Sequence, residues 1–378
     1  MIYADNASTS FPKAPGVGEA MADFIAQGAY NINRGSYAGA FSLEEAVLET
    51  RLELCSFFGA ENPRYAVFTA GVTMSLNLFL LGYLRRGDHV VATSMEHNAV
   101  LRPLALAKKR GIAVSLAQAG KDGMVPPEAI ERLFRSNTRA VVMLHGSNVC
   151  GAIMPIGRIG RLCRERGIAF AVDTAQTAGS IPVQMKEDCI DFLAFSGHKG
   201  LLGPQGIGGF LVAPGVAEEL EPVLAGGTGS FSHLTEQPEP YPDRMESGTL
   251  NLPGILGLRQ SLQWLKGQDL ADLGAHKALL AERFASQVRG YARIVGDVED
   301  KRLGVVSLDF SPMDNAQVAY ALEERFGIMI RTGLHCAPLA HQSLGSYPQG
   351  TVRFSFGAWN TLEEADVCAE AVREILRG

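Results

Sequence analysis

One lysine, Lys199, stands in the stretch FSGHKGLLGPQGIGG (195–209) with no other charge beside it except His198, and with glycines on its C-terminal side. Lysines ordinarily ride on solvated helix faces. An amine held away from other charge loses its proton more readily and can form a Schiff base. Upstream, Asp173 closes the apolar run IAFAVD (168–173) and Gln176 follows it. A carboxylate there can cap the next helix, or it can keep a pyridinium nitrogen protonated so that the ring withdraws electrons. His97 follows HVVATS (89–94), His145 and Asn148 follow AVVMLH (140–145), and Ser196, His198 and Lys199 follow DFLAFS (191–196). In TAGVTMSLN (69–77), Gly71, Val72 and Thr73 precede an apolar helical pattern. Glycine and a hydroxyl at a helix start can hold a phosphate.

These groups need a frame that brings them together. The runs named above, with IAVSLAQ (112–118) and IGGFLVA (207–213), are β-rich and almost continuously apolar. Helical patterns at 98–110, 126–136 and 155–167 lie between several of them. Such alternation predicts an α/β unit with a mainly parallel sheet covered on both faces. Ligands bind at the carboxyl ends of the strands in open sheets of this kind, so the polar strand ends should converge on one crevice. The stretch 226–252 is rich in Gly, Pro and polar residues and reads as loop. Helical patterns at 253–266 and 270–290, the strand VVSLDF (305–310), a helix near 314–326, the strand TVRFSF (351–356) and a last helix at 361–376 predict a smaller α+β unit. The expected division is a large unit over 15–255 and a small one over 256–378, with residues 1–14 packing on the latter.

The bulk numbers narrow the function classes. The chain has 378 residues, 47% hydrophobic and 20% charged, with a net charge of −6. That balance suits a globular protein and gives no footprint for nucleic acid, which would need a basic face. The start, MIYADNASTS, shows neither a basic nor an apolar leader region. The longest apolar run, Leu76 to Leu84, is interrupted by Asn77 and Gly82 and falls short of the roughly 20 residues that span a bilayer. A cytoplasmic protein without membrane partners is expected. The six cysteines form no C-x-x-C pair and no zinc-finger spacing, so no metal site is expected. Cys55 and Cys368 fall in helical apolar patterns that place them in a core. No G-x-G-x-x-G follows the first strand and no Walker sequence occurs, which argues against nicotinamide and P-loop chemistry.

In order along the chain stand YADNAST (3–9), NINRG (31–35), AGVTMSLN (70–77), MEHNA (95–99), HGSNVCG (145–151), VDTAQTAG (172–179), FSGHKGLLGPQGIG (195–208), ESGTLN (246–251), RTGLHCAPL (331–339) and TVRFSF (351–356). This series resembles the class V, fold-type-I pyridoxal-phosphate enzymes, and within them the cysteine desulfurases and selenocysteine lyases. The resemblance implies a large domain with a seven-stranded sheet and a smaller C-terminal domain. It implies that Lys199 carries pyridoxal 5'-phosphate, that Asp173 pairs with the ring nitrogen, and that Gln176 binds the phenolic oxygen. His97 would stack on the ring and move protons. Gly71, Val72, Thr73, Ser196 and His198 would surround the phosphate, and Thr249 would reach it from the second subunit of a homodimer. Asn148 and Arg353 would bind the substrate carboxylate, with Arg34 near the entrance.

Cys336 decides the reaction that the resemblance implies. A free cysteine is commonly a buried structural residue, but RTGLHCAPLAHQSLG reads as a polar, Gly/Pro-punctuated loop, and Arg331, His335 and His341 are expected to favour its thiolate. In the family the matching cysteine takes the substrate sulfur as a persulfide. The implied activity is conversion of L-cysteine to L-alanine, with L-selenocysteine as a further substrate and a protein as the sulfur acceptor. The alternative is a selenocysteine lyase, or an aminotransferase or epimerase of the same fold, without persulfide chemistry. Val72, where the family commonly has threonine, Asn33, EHNA and the proline-free ESGTLN depart from the usual pattern without removing a catalytic group.

Overall fold

A strand covered on both faces is apolar along nearly its whole length rather than at alternate positions; β6, β7 and β8 below are buried at every residue and apolar except for Asp173 and Ser196 at the carboxyl ends of β6 and β7. The computed structural model describes residues 1–27, 30–32, 35–297 and 302–377. The chain opens with β1 (Ile2–Tyr3), α1 (Val17–Ala26) and α2 (Ala38–Phe58). It then alternates through β2 (Ala66–Thr69), α3 (Val72–Tyr83), β3 (His89–Thr93), α4 (Asn98–Lys109), β4 (Ala113–Ala117), α5 (Pro127–Glu131), β5 (Thr138–Leu144), α6 (Ile156–Glu165), β6 (Ala169–Asp173), β7 (Phe192–Ser196), β8 (Gly208–Val212) and α7 (Pro214–Glu219). These strands make one seven-stranded sheet in the order β2-β8-β7-β6-β5-β3-β4. Only β8 runs against its neighbours. The fold is the expected α/β sheet, and β2 is the member that sequence reading passes over, since four residues carry little pattern.

Stacked aromatic rings fasten α3 to this sheet. Phe79 lies 4.6 Å from Phe192, which lies 4.7 Å from Phe210, and all three are fully buried. Burying each such side chain contributes about 1.5–3 kcal/mol, and the result holds the second half of α3 against the start of β7.

The rest of the chain comprises α8 (Leu252–Lys266), α9 (Leu270–Val288), β9 (Arg293–Ile294), β10 (Val305–Asp309), α10 (Asn315–Phe326), β11 (Ile328–Met329), β12 (Arg331–Gly333), α11 (Pro338–Ser343), β13 (Thr351–Ser355) and α12 (Leu362–Arg377). An antiparallel sheet runs β12-β13-β10-β9. Its core joins Phe284 of α9, Phe354 of β13 and Val372 of α12, with the Phe284 and Phe354 rings 4.5 Å apart. β1 pairs in parallel with β11, and Asp5 bridges to Ser355, so the N-terminus lies beside the smaller sheet. α8 crosses residue 255 and packs on α1 and α2. Among the described residues no helix is long and apolar enough to cross a membrane, and no cluster of His, Cys, Asp and Glu could hold a metal.

Candidate active site

The carboxyl ends of the central strands, the start of α3 and the smaller sheet enclose a cavity of about 570 Å³. One end is built for an anion. Gly71 is the N-cap of α3 and offers no side-chain cap, so the first N–H groups of the helix keep free hydrogen-bonding capacity. Its φ of 147° belongs to a region that only glycine occupies without strain. A side chain at Gly208 would run into Gly71, with its Cβ 2.7 Å from the Gly71 Cα. Val72 and Thr73 follow on the helix, and Ser196 Oγ lies 3.4 Å from the Val72 N–H. His198 also lines this cavity, and its Nδ1 is buried without a partner. Burial, reinforced by Lys199 and Lys13, lowers the His198 pKa to about 4.

Lys199 follows a peptide group that is held unusually firmly. The His198 carbonyl accepts from the Ser10 N–H at 3.0 Å, Thr9 Oγ1 at 3.1 Å, Ser10 Oγ at 3.1 Å and Lys13 Nζ at 2.9 Å. Burial lowers the Lys199 pKa; Arg353 and Arg331 act in the same sense and Asp173 opposes them. Asp173, at the end of β6, is 5% exposed and accepts from the Ala175 N–H at 2.8 Å. Burial raises its pKa, against that hydrogen bond and the charge of Lys199. Behind it, fully buried Glu96 accepts from Thr93 Oγ1 at 2.5 Å and from the Leu144 N–H at 3.1 Å. Burial, with the Asp173 charge in the same sense, pushes Glu96 up to about 8. His97 caps α4 by accepting the Ala99 N–H on Nδ1 at 3.0 Å, which leaves the ring proton to Nε2. Burial and the positive charge of Lys199 lower its pKa to about 4. Gln176 lines the cavity and donates Nε2 to the Ala7 carbonyl at 3.0 Å.

The rim comes from elsewhere in the chain. Cys336 lines the cavity and is the exposed cysteine, whereas Cys55, Cys150, Cys163, Cys189 and Cys368 are buried. His335 and Cys336 both adopt positive φ, 47° and 58°, uncommon for residues with side chains. Two bonds hold that conformation: the Cys336 carbonyl accepts from the Asn98 N–H at 2.7 Å, and the His335 carbonyl accepts from Asn148 Nδ2 at 2.8 Å. The cysteine is thereby tied to the start of α4, next to His97.

Two expectations about the rim are corrected. The stretch 331–345 is not simply loop, because it contains β12 and α11. His335 and His341 do not supply positive charge to Cys336, since burial pushes their pKa values down to about 2 and about 4. Arg353, expected to bind the substrate carboxylate, also holds protein groups. It is 2% exposed, and its Nη2 donates to Asp5 Oδ1 at 2.7 Å and Ser8 Oγ at 2.8 Å. Its Nη1 donates to the Asn148 carbonyl at 3.1 Å, and its Nε has no partner. Sequence reading gave Asp5 and Ser8 no part and Arg331 only an electrostatic one. Arg331 also lines the cavity and donates to Ser8 Oγ at 2.9 Å. Asp5 and Ser8 both lie in YADNAST (3–9), a motif that marks the segment but not their partner. Thr249 is exposed and is not part of this cavity's lining. Arg34, like Asn33, lies outside the described residues.

A parallel-sheet domain with a lysine and a carboxylate at successive strand ends, completed by a smaller C-terminal sheet, is the architecture of the fold-type-I enzymes. Residues 2–367 match the family model for aminotransferase class-V. The chain is 32% identical over 381 residues to a probable cysteine desulfurase of Methanothermobacter thermautotrophicus, covering 99% of this chain and 94% of that one. It is 31% identical over 390 residues to the cysteine desulfurase IscS of Pseudomonas putida, covering 99% and 92%. Among solved structures, the apo cysteine desulfurase of Thermococcus onnurineus NA1 superposes with a TM-score of 0.93 at 32% identity, covering 100% of this chain and 95% of that one. The cysteine desulfurase CsdA of Escherichia coli, in an S-sulfonic acid form, superposes with a TM-score of 0.88 at 29% identity, covering 99% and 94%. The chain belongs to the class V aminotransferase family, whose members are pyridoxal-phosphate enzymes.

Proposed function

We infer that this enzyme is a cysteine desulfurase that converts L-cysteine to L-alanine and takes the sulfur on Cys336 as a persulfide. It works as a pyridoxal-phosphate-loaded homodimer in the cytoplasm. One observation carries the reading: an exposed cysteine, in a chain whose other cysteines are buried, lines the same cavity as Lys199 and Asp173.

The residues fit the cofactor. The uncapped start of α3 and the unpartnered His198 Nδ1 leave hydrogen-bonding capacity for its phosphate, together with Thr73 and Ser196. Asp173 would hold the ring nitrogen, Gln176 the phenolic oxygen, His97 the ring face and Lys199 the aldehyde carbon. When bound, pyridoxal phosphate supplies an electron sink conjugated to the substrate amine. Lys199, its pKa lowered by burial, reaches the neutral form needed to take the proton from the substrate Cα. Arg331 and the free Nε of Arg353 receive the substrate carboxylate, with Asn148 beside them. The Cys336 thiolate attacks the substrate sulfur. The carbon–sulfur bond breaks, its electron pair stays with carbon, and that carbon takes a proton to become the methyl group of alanine. The net change is Cys336 thiol plus L-cysteine to Cys336 persulfide plus L-alanine. A thiol of a protein acceptor then removes the outer sulfur.

The second subunit is supported by the outer face of α2, where Phe41, Leu48 and Leu52 are 58%, 49% and 48% exposed. Contiguous apolar exposure of this kind marks association surfaces. Thr249 is exposed and so is accessible to a partner.

The test is alanine and sulfide production from L-cysteine by the cofactor-loaded protein and its Cys336→Ala variant. The wild type is expected to be yellow and active, and the variant yellow with its activity lowered at least about 100-fold. A protein that stays colourless after loading overturns the cofactor assignment, and unchanged alanine production by the variant overturns the persulfide step. Equal rates of the two proteins on L-selenocysteine would identify a lyase that does not need the thiol.

A further inference from the structure

A second cavity of about 450 Å³ shares a wall with the first, since Ala7, Gln176 and Lys199 line both. It opens between α9, the segment leading into β10 and the segment after β13. Its other walls are mainly apolar, with Ile181, Leu202, Ala278, Leu303, Val305 and Phe356 among them. The volume falls within the range of about 300–1,000 Å³ typical of small-molecule sites. None of the desulfurase chemistry uses this space.

Lys199, Gln176, Arg302 and three serines are among its polar lining groups, and the charged one without a counter-charge among the described residues or a part in the reaction is the Lys277 ammonium. Lys277 of α9 lines the cavity and is only 8% exposed. Its Nζ donates to Ser180 Oγ at 2.6 Å, and no carboxylate pairs with it among the described residues. The neighbouring cation is supplied differently: Arg302 pairs with Asp297 at 2.6 Å and with Glu282 at 3.7 Å. An ammonium has three donors, and burying one without a counter-charge is costly. A methionine would fill the same volume without that cost. Burial lowers the Lys277 pKa only to about 8, so the group remains mostly charged at neutral pH.

We propose that this cavity is a binding site for a small apolar monocarboxylate, whose carboxylate sits on Lys277 and Ser180 and whose hydrocarbon chain lies against Leu303, Val305 and Phe356. The Lys277 ammonium and its bonded Ser180 hydroxyl match a monoanion, and the apolar walls match a chain. The site does not depend on the desulfurase reading, because it uses none of that reaction's chemistry.

Octanoate titrated calorimetrically into the full-length, cofactor-loaded protein tests this, with octanol lacking the charge and acetate lacking the chain. One octanoate per chain is expected, with octanol and acetate each bound at least about tenfold more weakly. Lys277→Met, which keeps the length and removes the charge, should weaken octanoate by about tenfold or more, as should Ala278→Phe, which fills the cavity. Both variants should keep the cofactor's absorbance and the wild-type alanine production, which shows that they fold. No binding of octanoate at millimolar concentration overturns the proposal, as does octanol bound as tightly as octanoate, or equal octanoate affinity in wild type and Lys277→Met. A failed desulfurase assay leaves these binding heats unaffected, so the two readings fail separately.

Discussion

Asp173 and Arg353 are both charged and nearly fully buried, 5% and 2% exposed, yet they are held in opposite ways. Asp173 accepts a backbone N–H two residues along its own strand–turn unit. Arg353 is balanced by Asp5, 348 residues away. The same contrast runs through the site. The floor is made of strand ends aligned by the parallel sheet itself, although the N-terminal segment also holds the His198 carbonyl and Gln176. The rim is assembled from the N-terminal segment, the 331–336 stretch and β13, which meet only when the smaller sheet has formed. Loss of the Asp5–Arg353 pair therefore disturbs the rim first, while the strand ends of the floor keep their sheet pairing.

Substitution at the floor should have the largest effect. Lys199→Ala removes the proton-transferring amine and should lower alanine production by about 10⁴-fold, the upper range for a general base. Lys199→Arg should be equally inactive, because a guanidinium does not give up its proton. With neither wild type nor variant holding cofactor, Lys199→Ala should unfold at the wild-type denaturant concentration or higher because a buried amine is removed, whereas Lys199→Arg buries a larger permanent charge and should unfold at a lower one. Activity within tenfold of wild type in Lys199→Arg would break the assignment.

At the rim the expected damage is smaller and of a different kind. Asp5→Asn leaves the Arg353 charge without its counter-ion. Stability should fall by about 3 kcal/mol, the low end for breaking a buried pair, because the Asp5 side chain keeps 21% exposure. Arg353 should then move from its place beside Asn148 and Ser8. KM for L-cysteine is expected to rise about tenfold with kcat within about threefold, as for an interaction made equally in ground and transition states. Asp5→Glu should recover part of the loss. A fall in kcat like that of Lys199→Ala would erase the distinction between floor and rim.

The same difference explains what could be read from the chain alone. His97, Asp173, Ser196 and Lys199 each end an apolar run, so local pattern placed them at strand ends, and the parallel-sheet rule brought them together. β2 escaped because Ala66–Thr69 is too short to show a period. Asp5 and Ser8 escaped because nothing local in YADNAST shows that Arg353 will need a counter-charge. The expectation that His335 and His341 would favour a thiolate failed for a related reason. Sequence distance to Cys336 is short for both, but burial, which depends on the whole fold, keeps them neutral.

The smallest expected effect concerns those histidines. His198 at the floor and His341 at the rim are both lowered from 6.5 to about 4, chiefly by burial. Between pH 6.5 and 4 the unfolded chain therefore binds protons that the folded chain does not, and stability falls as pH falls through that window. Each such group contributes a slope of at most about 1.4 kcal/mol per pH unit. His341→Gln should flatten the dependence of the unfolding free energy, read from urea titrations, on pH between 6.5 and 5 by up to that amount. The glutamine can keep a hydrogen bond to Ser346, whose Oγ lies 2.7 Å from His341 Nδ1. Alanine production at pH 8 should stay within about twofold of wild type, because His341 does not itself line the cavity and meets it only through the His335 ring, 5.6 Å away between centroids. His198→Gln should flatten the same slope and also weaken cofactor retention. Equal cofactor loss in both variants would mean that floor and rim are not separable by their chemistry, and an unchanged slope in His341→Gln would mean that its burial does not hold it neutral.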